Sequence, residues 1–249
     1  MNKLYKYRCF NKFTDKIILN SSLYFPTVNE INDPFDCKLS FKQKYSSQEI
    51  TNHFKQMANN SPHKFTLEEL QKSYPDEKSF TDMKNKVTQQ LIDKIGVLSL
   101  STSPKNILMW SHYSNKHTGL VFQFTFEENS NCFHNPLLVD YKDKYDLLSY
   151  TSDFTKETPK LMLTKHNDWA YESEVRVIDL GFQGEKKFKT HELTSIIFGA
   201  LAKDEDIDGM IKLCRNNGFS HVKFSQAGLI PGEFSLNFRE ILNTLDAKP

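Results

Sequence analysis

The sequence predicts an α+β domain, and three observations carry that. Short aromatic-rich segments with an alternating pattern recur from the amino terminus to past residue 170. A half-polar stretch from about 46 to 95 has the composition and capping residues of helices. Residues 195–224 read as strand, helix and strand.

Taken in order, residues 3–10 alternate as an opening strand, and Ser22-Leu-Tyr-Phe-Pro26 is a second strand stopped by proline. Asn32-Asp33-Pro34-Phe35-Asp36 is a turn signal, because Asn and Asp bond nearby backbone and Pro34 fixes its own φ. The stretch 46–95 reads as a helical insertion: Ser46 or Ser47 caps 48–58, Thr66 caps 67–73, and a longer helix covers 81–95. Residues 97–101 form a strand, after which Ser103 caps a helix with Pro104 in its first position. The alternation of Leu120, Phe122, Phe124 and Phe126 with Val121, Gln123 and Thr125 marks a half-buried strand, and 139–141 a shorter one. Residues 154–169 read as helical, 203–217 as a helix closed by Gly218, and 234–238 as a last strand. The whole is read as one domain over residues 1–249.

With 32 basic against 31 acidic residues, the net charge of +1 does not imply a strongly electrostatic nucleic-acid binder. Lysines still gather locally, at Lys38, Lys42 and Lys44, at Lys156, Lys160, Lys165 and His166, and at Lys186, Lys187 and Lys189. They suit a cleft for a polyanion or, more plainly, solvated faces. Cys9, Cys37, Cys132 and Cys214 form no short pair, which argues for ordinary reduced thiols. Neither a signal peptide nor an apolar run long enough for a membrane is visible, so a cytoplasmic protein is expected.

The chemistry concentrates at Tyr171-Glu-Ser-Glu-Val-Arg-Val-Ile178. Read as a strand, it puts Glu172, Glu174 and Arg176 on one face and Trp169, Tyr171, Val175 and Val177 on the other, whereas a helix would splay the glutamates by roughly 200°. Alone, the segment is a solvated strand face with a cross-strand ion pair; with partners, two converging carboxylates can divide orientation from charge stabilisation. The partners are Arg8, Ser99, Ser101 and Ser103. A second candidate is an acid–base or metal set of His112, His117 and Asp36, whose spacing does not match helical metal ligands, so no metal is expected. A third is Trp110 with Tyr113, either stacking on a nicotinamide or adenine ring or packing in the core. Glycine-rich phosphate loops and nucleophile elbows are absent.

The order Leu4-Tyr-Lys-Tyr-Arg8, Asn32-Asp-Pro-Phe-Asp36, Met109-Trp-Ser-His-Tyr113 with Gly119, Asp168-Trp169 and Glu172-x-Glu174-x-Arg176 resembles an uncharacterised bacterial domain family over roughly residues 3–200. That family is distantly similar to ADP-ribosyltransferases of the arginine, serine, glutamate type. The resemblance implies a split, mixed sheet cradling NAD, with Arg8 contacting the dinucleotide and Ser101 as the central-strand serine, for which Ser99 competes. It implies Glu174 as the catalytic glutamate and Glu172 as the acid that manages the acceptor. Asp33, Phe35, Asp36, Trp110, His112 and Tyr113 are expected around the same cleft.

The function expected is therefore mono-ADP-ribosylation of a macromolecule, nucleic acid or protein, by a toxin or phage-defence effector with an antitoxin or immunity partner. The alternatives are a nuclease using His112 with Asp33 and Asp36, and a noncatalytic nucleotide-binding module.

Overall fold

The computed structural model describes residues 3–37, 44–61, 64–127, 129–145, 147 and 154–241, with the backbone alone at 154–157. The expected Lys38 and Lys42 lie outside the described residues, as does the side chain of Lys156.

In chain order the strands are β1 (Lys3–Arg8), β2 (Ser22–Phe25), β3 (Gly96–Ser101), β4 (Leu120–Thr125), β5 (Leu137–Leu138), β6 (Asp140–Lys142), β7 (Thr164–His166), β8 (Glu174–Asp179), β9 (Gly184–Lys187), β10 (Leu193–Phe198), β11 (Lys223–Leu229) and β12 (Leu236–Glu240). The helices are α1 (Lys12–Asn20), α2 (Ser47–Asn60), α3 (Leu67–Ser73), α4 (Glu77–Ile92), α5 (Ile107–Tyr113), α6 (Phe154–Met162) and α7 (Asp204–Asn216). Eight strands form one mixed sheet in the order β12-β11-β10-β4-β1-β3-β8-β5. Among the described residues, only β10 and β11 run parallel in it, joined through α7. The pairs β2–β9 and β6–β7 stand apart from it. The chain is thus α+β, as the sequence predicts.

Strand alternation decides what each sheet face carries. Leu100 pairs with Val175 and Leu98 with Val177, so these point to one face with Leu4, Phe122, Phe124, Ile196 and Phe198, all buried. Ile17 and Ile18 of α1 and Ile207, Met210 and Ile211 of α7 belong to the same cluster. Each such side chain contributes about 1.5–3 kcal/mol on burial. The alternate residues, Ser99 opposite Arg176 and Ser101 opposite Glu174, turn to the other face.

The sheet is split between β1 and β3. Whereas β1 pairs with β4 along six residues, it meets β3 at the single pair Tyr5–Ser101. Beyond that pair the strands diverge, and Lys6 Nζ reaches across to the Ser99 carbonyl at 2.6 Å.

The insertion is helical, with its own core of Tyr45, Ile50, Phe54, Leu70 and Phe80. Ser46 with Glu49 and Thr66 with Glu69 form reciprocal capping boxes. The third helix begins at Glu77 rather than 81, because Asp76 accepts from the Ser79 amide and sets the start earlier.

Other boundaries differ from expectation. Helix α1 follows Asn11, whose side chain accepts from the amides of Phe13 and Thr14; exposed Phe13 and Leu19 blur its apolar period. Asn106, not Ser103, caps α5, while Ser103 and Pro104 form the turn before it. The expected helix over 154–169 ends at Met162 and gives way to β7 and a 3-10 helix over Asn167–Glu172.

Candidate functional site

Strand β8 begins at Glu174, so Glu172 and Glu174 do not share a strand face as expected. Ser173 adopts a left-handed conformation, φ 45° and ψ 51°, and ends the 3-10 helix that carries Trp169, Tyr171 and Glu172. The kink is held from β3: Ser101 Oγ donates to the Glu172 carbonyl at 2.7 Å, and the Thr102 amide to the Ser173 carbonyl at 3.0 Å. Its result is that both carboxylates reach one cation by different routes.

That cation is Lys165. Its Nζ bonds Glu172 Oε2, Glu174 Oε2 at 3.0 Å and Asp36 Oδ2 at 3.3 Å. Arg176 grips the other side, with Nε 2.7 Å from Glu174 Oε1 and Nη2 2.6 Å from Asp36 Oδ2. Its Nη1 donates to the Met162 carbonyl at 2.6 Å. Arg176 therefore holds Glu174 and Asp36, while Glu172 is held by Lys165 and by the Tyr113 hydroxyl at 2.5 Å. Glu172, Glu174 and Arg176 are 4%, 3% and 0% exposed, which overturns the solvated-face reading. Charges so deep persist only when paired.

The two glutamates are driven apart in acidity. Burial pushes the Glu174 carboxyl up, but Arg176 and Lys165 outweigh it and hold it at about 2. For Glu172 burial wins, and Lys165 and Tyr113 only partly offset the rise. Burial also pushes Lys6 down to about 7, helped by Arg8 and opposed by Glu174 and Glu172.

Three hollows flank the cluster, one of them, of about 450 Å³, behind the Asn32–Asp36 turn. A small cavity of about 100 Å³ opens where β1 leaves β3, lined by Lys6, Ser99, Ser101, Tyr113, Glu172 and Glu174, with Asn32 and Asp36. A larger groove of about 660 Å³ lies beside it, and Lys165 lines both. The Asn32–Asp36 turn divides between them: Asn32 and Asp36 line the cavity, Asp33 and Phe35 the groove.

The expected residues are thus only partly assembled. Ser99, Ser101, Tyr113, Glu172 and Glu174 meet at the cavity. Arg8 instead lines a separate hollow with Asn11, Phe13 and Lys16, because it lies at the end of β1, one strand step past Lys6 and towards α1. Trp110 cannot stack on a ligand: it is fully buried, edge-on to Tyr7, with Nε1 donating to the Pro104 carbonyl at 2.7 Å. His112 Nδ1 lies 3.0 Å from the Tyr171 hydroxyl, whereas His117 stacks on Trp110, so the two histidines have different partners. The lysine groups also separate; Lys186 pairs with Asp179 at 2.6 Å, away from Lys165.

Sequence reasoning missed Lys165 as a site residue, along with Lys6 and Tyr141, whose hydroxyl accepts from the Glu174 amide at 2.8 Å. Thr164-Lys165-His166 carries no periodic mark, and only three acids awaiting more cation than Arg176 supplies hinted at a second base.

A family model described as a protein of unknown function (DUF2971) matches residues 109–177. The match takes in Lys165, Glu172, Glu174 and Arg176 but not Arg8, Asp36 or Ser101, and is shorter than the expected 3–200. No curated protein and no solved structure matches the chain.

Proposed function

We propose that the protein is a mono-ADP-ribosyltransferase that breaks the nicotinamide–ribose bond of NAD and passes ADP-ribose to a macromolecular acceptor. The observation that carries this reading is the convergence of Glu172 and Glu174 on Lys165 at the mouth of a split sheet. The strand order supports it, since β1, β3 and β8 are neighbours and Tyr5, Ser101 and Glu174 form one row across them.

In the reaction, the bond between the nicotinamide nitrogen and ribose C1′ breaks and its electron pair leaves with nicotinamide. Positive charge develops on the ribose, and ionised Glu174 stabilises it. The acceptor atom then bonds C1′ and gives its proton to Glu172, whose raised affinity for protons suits that task. Lys6, rather than Arg8, is the basic residue of β1 that meets the substrate. This chemistry suits a toxin or phage-defence effector restrained by an immunity partner. A nuclease built on His112 with Asp33 and Asp36 gains less support, because His112 pairs with Tyr171 and lines neither the cavity that takes Asp36 nor the groove that takes Asp33.

The test uses Glu174→Gln, which keeps the shape of the side chain. Purified protein is incubated with labelled NAD and cell extract, and label transfer and nicotinamide release are followed. The wild type should show both and the variant a loss of at least a hundredfold; no turnover by the wild type on any extract sinks the proposal.

A further inference from the structure

We infer that the groove beside the carboxylate cluster is a nucleoside-binding site, which holds the base and ribose at the far end of the dinucleotide. This rests on the transferase reading. The cavity of about 100 Å³ at Glu172 and Glu174 has room for the reacting end alone, so the rest of a dinucleotide must continue elsewhere. Two hollows adjoin it: one of about 450 Å³ that shares Ile31, Asn32 and Asp36 with it and is lined by no aromatic ring, and the groove of about 660 Å³, which shares Lys165 and does carry aromatic rings.

The lining of the groove fits a nucleoside. Phe35 is 69% exposed at a turn, and Trp169 is half-buried beneath Lys165 Nζ at 5.1 Å from its ring. Two rings so presented offer stacking surface to a heterocyclic base. Asp33 and Asp168 place carboxylates in the same groove, the group that commonly accepts from ribose hydroxyls. Charge also discriminates. Lys142, Lys144 and Lys165 stand against Asp33, Asp143 and Asp168 in its lining, a balance that suits an uncharged base and sugar and offers little to the backbone of a nucleic-acid strand.

The chain supplies its own reporter. Of its two tryptophans, Trp110 is sealed in the core, so a ligand in the groove acts on the fluorescence of Trp169. Adenosine, titrated to millimolar concentration, should quench it, and 2′-deoxyadenosine should do so more weakly. Calorimetry should show Phe35→Ala weakening adenosine binding about tenfold, with thermal unfolding unchanged because the ring is exposed. NAD, added to the Glu174→Gln variant to prevent turnover, should displace adenosine.

The inference is overturned if adenosine leaves Trp169 unaffected, if Phe35→Ala binds adenosine as the wild type does, or if a short single-stranded RNA displaces adenosine where NAD does not. The last outcome would assign the groove to the acceptor. Failure here and failure of the transferase reading are separable. Nicotinamide release without a Trp169 response defeats the nucleoside site alone; adenosine binding displaced by NAD, without nicotinamide release, supports the site and defeats the transferase.

Discussion

Arg176 and Asp36, 140 residues apart in the chain, meet at 2.6 Å, and this contact ties the Asn32–Asp36 turn to the acidic strand. Arg176 is wholly buried, so removing Asp36 leaves its guanidinium short of one charge, and removing Arg176 leaves two carboxylates facing only Lys165. Arg176→Met should therefore destabilise the fold by about 3–5 kcal/mol, measured as a shift in urea midpoint, and Asp36→Asn by less, since an amide still accepts.

Acid should weaken the protein through Glu174. Its carboxyl titrates near 4.5 when free and at about 2 when folded, so the unfolded chain binds the proton first as pH falls. The stability from its pairing is complete above pH 4.5 and is lost as pH falls from there to about 2. Urea midpoints measured across that interval should fall steeply for the wild type and less so for Glu174→Gln.

Lys6 works on the alkaline side with the opposite slope. Its amine titrates at about 7 when folded and near 10.5 when free, so above pH 7 the unfolded chain holds the extra proton and the Lys6 contribution to stability rises with pH. The buried thiols of Cys37, Cys132 and Cys214, pushed up to about 12, begin to act against this only near pH 9. From pH 7 to 9 the denaturant midpoint of Lys6→Met should gain less than that of the wild type.

The kink at Ser173 should tolerate glycine and resist branched residues. At φ 45° a Cβ-branched side chain crowds its own backbone, so Ser173→Val should cost roughly 1–2 kcal/mol in thermal or chemical unfolding. Ser173→Gly should cost far less. Should valine be accepted at no cost, the left-handed turn between Glu172 and Glu174 is not what orients them.

How much of this the sequence discloses depends on whether the cause is local. The alternation of Leu120–Thr125 and the boxes at Ser46 and Thr66 are written in adjacent residues, and strand and helices appear where expected. The acidic pair was visible by spacing, yet its geometry was misread, because a single left-handed serine carries no pattern. Lys165 is legible only as one of a lysine group, because its pairing with distant Asp36 leaves no mark in the sequence, and Trp110, open between ring stacking and core packing, proves to be core through its contacts with β1 and β4. Arg8 is assigned by resemblance to a motif, whereas the split sheet brings Lys6, one strand step earlier, to the cavity and leaves Arg8 at the end of β1.

Five strands ending at β1 and three beginning at β3 are joined by one residue pair, Tyr5 and Ser101, supplemented by side-chain bonds from Lys6 and Tyr7. The sheet is therefore built as two leaves on a short spine. Glu174, Arg176 and Ser101 all ride on the smaller leaf, and Lys6 on the larger. The distance from Lys6 to the carboxylates is thus set where the two leaves meet, through its bond to the Ser99 carbonyl, whereas the grip of Arg176 on Glu174 lies wholly within one leaf.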